Sequence, residues 1–335
     1  MIKSCLKRIT GIYDTDSIST CKQQTLPAGR QVTQPGSIHS CSFVPFVAKK
    51  NTLAVITKPI IAFIFFIAPL FVFSQQEIKI MSYNIRLDVK SDGENWWEKR
   101  KDKVAGLLNY YEADFIGLQE VVHNQLLYLK DSLPGYSFTG VGRDDGKEAG
   151  EYSCIFYRKD KYTVVEQSTF WLSPTPGVPS KGWDAALNRV CTYGLFKNNK
   201  TKKLVWVFNT HFDHMGKLAR LESAKLIIKK INELNTKNYP VIVSGDFNSR
   251  PGDEPSQYMM ANMQNSRSIS KLVYGAADTW NGFKFNEKPN GCIDYIFVLN
   301  DKRITVSKFA TITDSYDMKY PSDHFPVLAT INIDK

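Results

Sequence analysis

The chain is constrained most strongly by a series of short apolar runs, several of them followed directly by a polar or charged residue. The runs are rich in Ile, Val and Phe, which is typical of β-strands. The predicted strands span residues 78–83, 115–119, 154–157, 204–209, 241–244, 292–298 and 325–331. We therefore expect a fold built on many short strands.

Helical patterns lie between several of these strands, notably over residues 98–110 and 217–234. In the second pattern, large apolar residues repeat at helical spacing: Leu218, Leu221, Ile228 and Ile231. Residues 136–196 instead run strand after strand with Gly and Pro between them, as antiparallel hairpins do. This alternation predicts a layered α/β domain, and no internal repeat or linker divides residues 75–335.

An uncharged stretch of 15 residues, 59–73, follows three lysines near the start of the chain. A membrane span usually needs about 20 apolar residues, so this stretch is typical of a signal peptide. We expect residues 49–74 to be removed by cleavage after Ser74, leaving a soluble enzyme in the periplasm or outside the cell with no membrane anchor. Residues 1–48 do not belong to this predicted signal peptide. They are either a misassigned start of the chain or a cytoplasmic tail on an uncleaved signal anchor.

The charge of residues 75–335 argues against a protein that binds long nucleic acids, and their cysteines argue against a disulfide scaffold or a zinc site. The whole chain has a formal charge of +10, but residues 75–335 carry 35 Lys/Arg and 31 Asp/Glu, with no basic run typical of proteins that bind long nucleic acids. That same part contains Cys154, Cys191 and Cys292, an odd and scattered set. We expect buried thiols rather than a disulfide scaffold or a zinc site.

Polar residues gather where the predicted strands end, and this conjunction predicts an active site. They are Asn84, Glu120, His211, Asp246, Asn248, Asp323 and His324. Each has an ordinary explanation when taken alone, such as turn formation or surface hydration. Together they match the preference of catalytic groups for loops that a sheet holds in place.

Carboxylate and amide oxygens without clustered thiols favour Mg²⁺, or Mn²⁺, over Zn²⁺. Glu120 is the first choice for a metal ligand. A metal of this type offsets charge on a phosphoryl group while a positioned carboxylate prepares the attacking water. The sequence contains no nucleophile elbow, Walker loop or dinucleotide fingerprint that would indicate another mechanism.

Six segments, in the order SYNIR, GLQEV, NTHFDH, SGDFNS, DYIFV and SDHFPV, resemble the motifs of the endonuclease/exonuclease/phosphatase superfamily, the deoxyribonuclease-I-like fold. The resemblance covers about residues 77–333. It implies a four-layer α/β/β/α sandwich of two packed mixed sheets flanked by helices. It also implies a metal-dependent hydrolase that acts on phosphoester bonds.

The resemblance implies roles for individual residues. Asn84, Glu120 and Asp323 would lie at the metal. Asp246 would align or deprotonate the water, and Asn248 and His324 would contact the phosphoryl group; whether Asp246 or His324 is the base stays open.

Three further residues follow from the same resemblance. Asp294 would orient His324, and His211 would be a second histidine at the phosphate with Glu151 as its partner carboxylate. Asp213 and His214 extend the His211 motif and belong either to the pocket or to the hydrated surface.

Two loops rich in Gly, Pro, charge and Trp, 140–152 and 170–189, are expected to shape the substrate pocket. Within them, Arg143 and Arg189 are candidates to bind an anionic substrate, because guanidinium groups match phosphate oxygens. The alternative for each is an ordinary exposed arginine or a loop salt bridge. Trp96, Trp97, Trp171 and Trp183 are expected mainly in packing roles.

Three substrate classes stay open: a small phosphomonoester or phosphodiester, a nucleic acid, and a phospholipid head group. The low charge of residues 75–335 disfavours long duplex DNA. A catalytically inactive binding module is the alternative of a different class. We expect a monomer with no stable protein partner.

Overall fold

The computed structural model of the chain describes residues 76–334, so the predicted leader, 1–48 and 49–74, lies outside the described residues. The strands are β1 (Gln76–Asn84), β2 (Phe115–Gln119), β3 (Tyr136–Thr139), β4 (Ile155–Arg158), β5 (Tyr162–Trp171), β6 (Val190–Asn198), β7 (Leu204–His211), β8 (Val241–Asp246), β9 (Met263–Asn265), β10 (Leu272–Tyr274), β11 (Asp294–Leu299), β12 (Ile304–Thr311) and β13 (Val327–Ile333). The helices are α1 (Trp97–Tyr111), α2 (His123–Ser132), α3 (Lys217–Leu234), α4 (Glu254–Asn262) and α5 (Ser266–Ile269), with one 3₁₀ segment at Lys90–Asn95.

The strands form two mixed sheets. The first has the order β10-β12-β13-β1-β2-β4-β3 and the second the order β5-β6-β7-β8-β11-β9. The pairs β1–β2 and β7–β8 are parallel, whereas β3–β4 and β5–β6 are antiparallel, as the hairpin pattern of residues 136–196 predicts. Parallel neighbours end at the same edge of a sheet, so β1 with β2 and β7 with β8 each deliver two polar strand ends together.

Three apolar clusters build the layers. The inner faces of both sheets pack together through residues such as Ile80, Phe115 and Val207. The outer face of the first sheet packs against α1 through residues that include Leu108, and that of the second against α3 through residues that include Ile227. The predicted sandwich of two packed mixed sheets flanked by helices is confirmed. Among residues 76–334, no helix has the length and apolar character needed to cross a membrane.

Helix α3 has the predicted bounds, but its buried face is not made of the large apolar residues alone. Leu218 is half exposed, and the buried side includes Ala219, Ser223, Ile227 and Ile231. These positions are four residues apart, so they share one face of the helix. Small residues at two of them let the helix approach the sheet closely, and a search for large apolar residues cannot detect such a face.

One buried amide links the two sheets. Asn209 lies on β7 of the second sheet. Its Nδ2 donates to two carbonyl oxygens on the first sheet's side of the interface, those of Leu118 and Cys154, each at 2.8 Å. Its Oδ1 accepts from Gln119 Nε2 at 2.7 Å and from Ser244 Oγ at 3.2 Å. All of its hydrogen-bonding capacity is therefore used between the sheets.

The linking amide also explains a glycine inside β2. A Cβ at Gly117 would collide with Ser244 Oγ and Asn209 Oδ1. A glycine in a strand interior often marks such a close approach. The three cysteines of residues 76–334 fit the same core: Cys154 and Cys191 are buried, Cys292 is half-buried, and all three are free thiols.

Asn209→Ala should lower the free energy of unfolding by about 3 kcal/mol, because buried carbonyl and amide groups would lose their partners. Urea unfolding measures the loss. The matched control is Asn262→Ala, which removes an exposed amide at the end of α4 and should change stability by less than about 0.5 kcal/mol. Equal effects of the two substitutions would contradict the role of Asn209.

Candidate active site

A cavity of about 610 Å³ lies where the strand ends of both sheets meet. Eight of the predicted site residues line it: Glu120, Glu151, Arg189, His211, Asp246, Asn248, Asp323 and His324. Each of the other three, Asn84, Asp294 and Arg143, contacts one of these eight directly. The structure therefore gathers all the predicted residues into one site.

Asn84 holds two carboxylates from different sheets. It ends β1, and its Nδ2 donates to Glu120 Oε1 at 2.9 Å and to Asp246 Oδ2 at 3.0 Å. Its Oδ1 accepts from the backbone N–H of Arg86 at 3.0 Å. In this arrangement Asn84 positions the two carboxylates, and its predicted place at the metal stays a prediction.

Glu120 follows β2 in the left-handed region, with φ at 61°. A residue other than glycine adopts this conformation only where its surroundings stabilise it. Here Glu120 Oε2 accepts from the backbone N–H of Leu87 at 3.1 Å and lies 3.8 Å from Arg86 Nη1. The backbone turn and these donors direct the carboxylate into the cavity.

The residues near Glu120 fit a hard divalent cation. Burial raises the pKa of Asp323, His324 opposes this effect, and the charge of Glu120 adds to it. A cation shared with Glu120 would stabilise the ionised form of Asp323, and oxygen ligands suit Mg²⁺ or Mn²⁺.

A second group, Asp246, Asp294 and His324, has ligand atoms within 4.8 Å of one another. However, Asp294 Oδ2 is 2.9 Å from His324 Nδ1, the geometry of a carboxylate that orients a histidine. The contact between Asp294 and His324 is therefore accounted for without a metal, and a metal held by Glu120 and Asp323 stays a prediction.

Asp246 and His324 face each other across the cavity floor. His324 Nε2 lies 3.8 Å from Asp246 Oδ2, and Asp294 is directly opposite Asp246 in the pairing of β11 with β8. Burial and the charge of Asp294 raise the pKa of Asp246 above its ordinary value. Burial disfavours the charged form of His324, but Asp294 and Asp246 outweigh it and hold the pKa of His324 well above its ordinary value. The two carboxyl groups therefore favour the charged form of His324.

His211, at the end of β7, lies on the opposite wall. Its Nε2 is 3.1 Å from Asn248 Nδ2 and 3.5 Å from Asp246 Oδ2. Burial, Arg189 and Arg143 lower the pKa of His211 well below its ordinary value, so the ring is neutral. Asn248, with φ at 45°, is held by its backbone N–H donating to Asp246 Oδ1 at 2.9 Å.

The predicted pairing of His211 with Glu151 is present only as a long contact, and a second residue lies closer to the same nitrogen. Glu151 Oε2 is 3.8 Å from His211 Nδ1, whereas Arg189 Nη1 is 3.0 Å from the same nitrogen. Glu151 instead pairs with Arg143 Nη1 at 2.8 Å. Arg143 is buried behind Glu151 and does not line the cavity, which favours the loop salt bridge, the alternative considered for this residue.

The two residues that extend the His211 motif have different positions. Asp213 is buried and accepts from the backbone N–H groups of Met215 and Gly216, so it shapes the loop before α3. His214 lines the cavity. The first is therefore structural, and the second belongs to the pocket.

The cavity wall also contains a tryptophan, Trp280, that was not predicted from the sequence. Trp280 is 37% exposed and forms a backbone bridge with His324. The four tryptophans considered from sequence do not line this cavity, and Trp97 and Trp171 are buried. Its position in the polar segment that leads into β11 is the sequence feature that could have identified Trp280 as a site residue.

Three polar residues of the cavity wall were also missed. They are Arg86, Arg250 and Asn290. Arg86 follows Asn84 within the first motif segment, SYNIR. Arg250 Nη2 donates to Asn290 Oδ1 at 2.9 Å, which joins the loop after β8 to the loop before β11. Only the packing of these loops reveals that pair.

Comparisons with known proteins agree with this geometry. The model of the Endonuclease/Exonuclease/phosphatase family matches residues 81–324. The chain is similar to the structure of a protein of that family from Bacteroides thetaiotaomicron, with 38% identity, a TM-score of 0.75, and coverage of 78% of this chain and 100% of that chain. A mannosyl-6-phosphatase from Bacteroides thetaiotaomicron VPI-5482 is 40% identical, with a TM-score of 0.74 and coverage of 76% of this chain and 99% of that chain.

The chain spans about half the length of curated relatives such as the CCR4-Not complex 3'-5'-exoribonuclease subunit Ccr4 of Mycosarcoma maydis. That protein is 22% identical, and the match covers 78% of this chain and 51% of the relative. The family match covers most of the described residues, and its motif residues meet in one cavity. The chain therefore belongs to the endonuclease/exonuclease/phosphatase family, and the relatives named above include a phosphatase and an exoribonuclease.

Proposed function

We propose that the chain is an exported, Mg²⁺-dependent phosphomonoesterase whose substrate is a small sugar phosphate. The observation that carries the substrate class is the exposed ring of Trp280 in the wall of the cavity, beside His324. Pockets of roughly 300–1,000 Å³ enclose small molecules, and the 610 Å³ cavity lies in this range. The 40% identical mannosyl-6-phosphatase supports the same substrate class.

Glu120 and Asp323 would hold the metal. Bound there, Mg²⁺ would polarise a phosphoryl oxygen and offset its negative charge. Arg86, whose Nη1 lies 3.8 Å from Glu120 Oε2, keeps the Glu120 carboxylate facing the cavity.

Asp246 is our choice for the group that aligns the attacking water and accepts its proton. Its two oxygens are fixed by Asn84 Nδ2 at 3.0 Å and by the backbone N–H of Asn248 at 2.9 Å. The raised pKa of this buried carboxyl brings it closer to neutrality, where a general base is most effective.

His324 would donate from Nε2 to a phosphoryl oxygen while its Nδ1–H donates to Asp294. The charge of His324 would then stabilise negative charge that grows as the water attacks. Asn248 and His211 would contact the phosphoryl group from the opposite wall.

Trp280→Ala should raise KM for a hexose phosphate about tenfold and change kcat by less than about threefold. An aromatic face contributes about 1–1.5 kcal/mol to ring contacts, and 1.4 kcal/mol corresponds to tenfold in affinity. The measurement compares a hexose phosphate with an acyclic phosphate ester of similar charge, for which KM should stay constant. Trp96→Ala, outside the cavity, is the control; equal losses on both substrates would contradict a sugar-stacking role for Trp280.

Phosphate release from a panel of sugar phosphates, oligonucleotides and phospholipids tests the proposed activity. The purified protein is assayed with Mg²⁺, with Mn²⁺ and with a chelator. We expect chelator-sensitive release of phosphate from hexose phosphates. Shortened oligonucleotides would favour the nuclease alternative, released head groups would favour the phospholipid alternative, and inactivity of a folded, metal-loaded protein on the whole panel would favour the inactive binding module.

Export rests on the uncharged residues 59–73 and the lysines before them. Sequencing the N terminus of the protein from the extracellular and periplasmic fractions tests it, with cleavage after Ser74 as the expected result. Recovery of an uncleaved chain in the membrane fraction would support a signal anchor instead.

A further inference from the structure

Arg189 lies at the centre of a network of short polar contacts in the cavity wall. Its Nη1 is 3.0 Å from His211 Nδ1, and its Nη2 is 3.0 Å from His214 Nδ1. Its Nε donates to Asp213 Oδ2 at 3.3 Å. The side chain is only 5% exposed, so this geometry is held by packing.

A guanidinium group has only donors, so the ring nitrogens facing Arg189 must accept. A neutral imidazole has one acceptor nitrogen and one N–H. The proton of His211 therefore lies on Nε2, and a neutral His214 has the same tautomer. Asn248 Nδ2 also lies near His211 Nε2, but only one nitrogen of a neutral ring can accept, and the charged donor Arg189 makes the stronger hydrogen bond.

His324 has the reverse arrangement. Its Nδ1 faces the acceptor Asp294 Oδ2 at 2.9 Å, so Nδ1 carries a proton. The two buried histidines of the cavity thus have partners of opposite kind, an arginine for His211 and a carboxylate for His324. Different partners give the two rings different tautomers and different chemical roles.

We propose that Arg189 is a positioning residue that makes Nδ1 of His211 and of His214 an acceptor, so that both present Nε2–H to the cavity as hydrogen-bond donors for the oxygens of a bound phosphoryl group. His211 then has no lone pair available to remove a proton from water. The identity of the anion rests on the proposed function, whereas the tautomers do not.

Nitrogen-15 NMR of the histidine side chains tests the tautomers without substrate or metal. The chain has five histidines, so single substitutions assign every signal. We expect protonated Nε2 and unprotonated Nδ1 for His211 and His214 in the native protein. A protonated Nδ1 on His211 would overturn the proposal.

Two variants test whether Arg189 causes this state. Arg189→Met removes every donor at similar length and should shift His211 towards a mixture of tautomers, with kcat about tenfold to hundredfold lower. Arg189→Lys, which also can only donate, should keep the Nε2–H tautomer and at least about five times the kcat of Arg189→Met. Backbone NMR spectra verify the fold of both; an unchanged His211 tautomer in folded Arg189→Met would overturn the proposal.

Replacing His211 distinguishes a donor from a base. His211→Gln retains an amide N–H donor and should keep kcat within about tenfold of the native value, whereas His211→Phe should lose about 10²-fold. Equal losses in the two variants would contradict the donor role. Titration of the native protein with inorganic phosphate should shift the His211 Nε2–H signal, and it gives this result even if the natural substrate is not a sugar phosphate; the absence of a shift at saturating phosphate would overturn the phosphoryl contact.

Discussion

Asp246→Asn should lower kcat by about 10²–10⁴-fold and leave the fold intact, because it removes a proton acceptor while keeping the shape of the side chain. The side-chain oxygen of the substituted residue can still accept from Asn84 Nδ2 or from the backbone N–H of Asn248. Burial makes ionisation of Asp246 costly, so the variant should be at least as stable as the native protein.

Steady-state kinetics and thermal unfolding measure the two effects of Asp246→Asn separately. Asp131→Asn, at an exposed position near the end of α2, is the control for a generic loss of one carboxylate. A kcat within about tenfold of the native value would transfer the role of base to another group, with His324 next to be tested.

Glu120→Gln should weaken the binding of the metal. The amide keeps an oxygen but loses the negative charge that Mg²⁺ prefers, so the Mg²⁺ concentration for half-maximal activity should rise about tenfold to hundredfold. At saturating metal kcat should still be about 10²-fold lower, because the cation would be less well placed. Calorimetric titration with Mn²⁺ in the absence of substrate gives a readout independent of activity.

Glu77→Gln, which removes an exposed carboxylate at the start of β1, is the matched control for Glu120→Gln. Its metal affinity should equal that of the native protein. An unchanged affinity in Glu120→Gln itself would move the metal to the group formed by Asp246, Asp294 and His324.

The fold and the membership of the site could be predicted because both depend on local signals. Runs of apolar residues set strands such as β2 and β8, and polar residues such as Glu120 and Asp246 directly end or follow them. The parallel pairs β1–β2 and β7–β8 then bring the strand ends of each sheet together, and the packing of the two sheets brings these two sets of ends into one cavity.

The hydrogen-bond partner of His211 Nδ1 could not be predicted, because the residues concerned come from three separate segments of the chain. Arg189 precedes β6, Glu151 precedes β4, and His211 ends β7. Arg143 turns inward because its backbone pairs with that of Glu151 and its carbonyl oxygen accepts from Trp171 Nε1 at 2.6 Å. Such pairings follow from how loops pack, which no spacing along the chain reveals.

The buried amide of Asn209 has a consequence for how the protein loses activity on heating. Glu120 follows a strand of the first sheet and His211 ends a strand of the second, so the distance between the metal side and the phosphoryl side depends on the relative position of the two sheets. Sliding one sheet past the other by a residue would break the hydrogen bonds of Asn209 to Leu118 and Cys154. Heating should therefore abolish activity and structure in one cooperative transition, without a partly active intermediate.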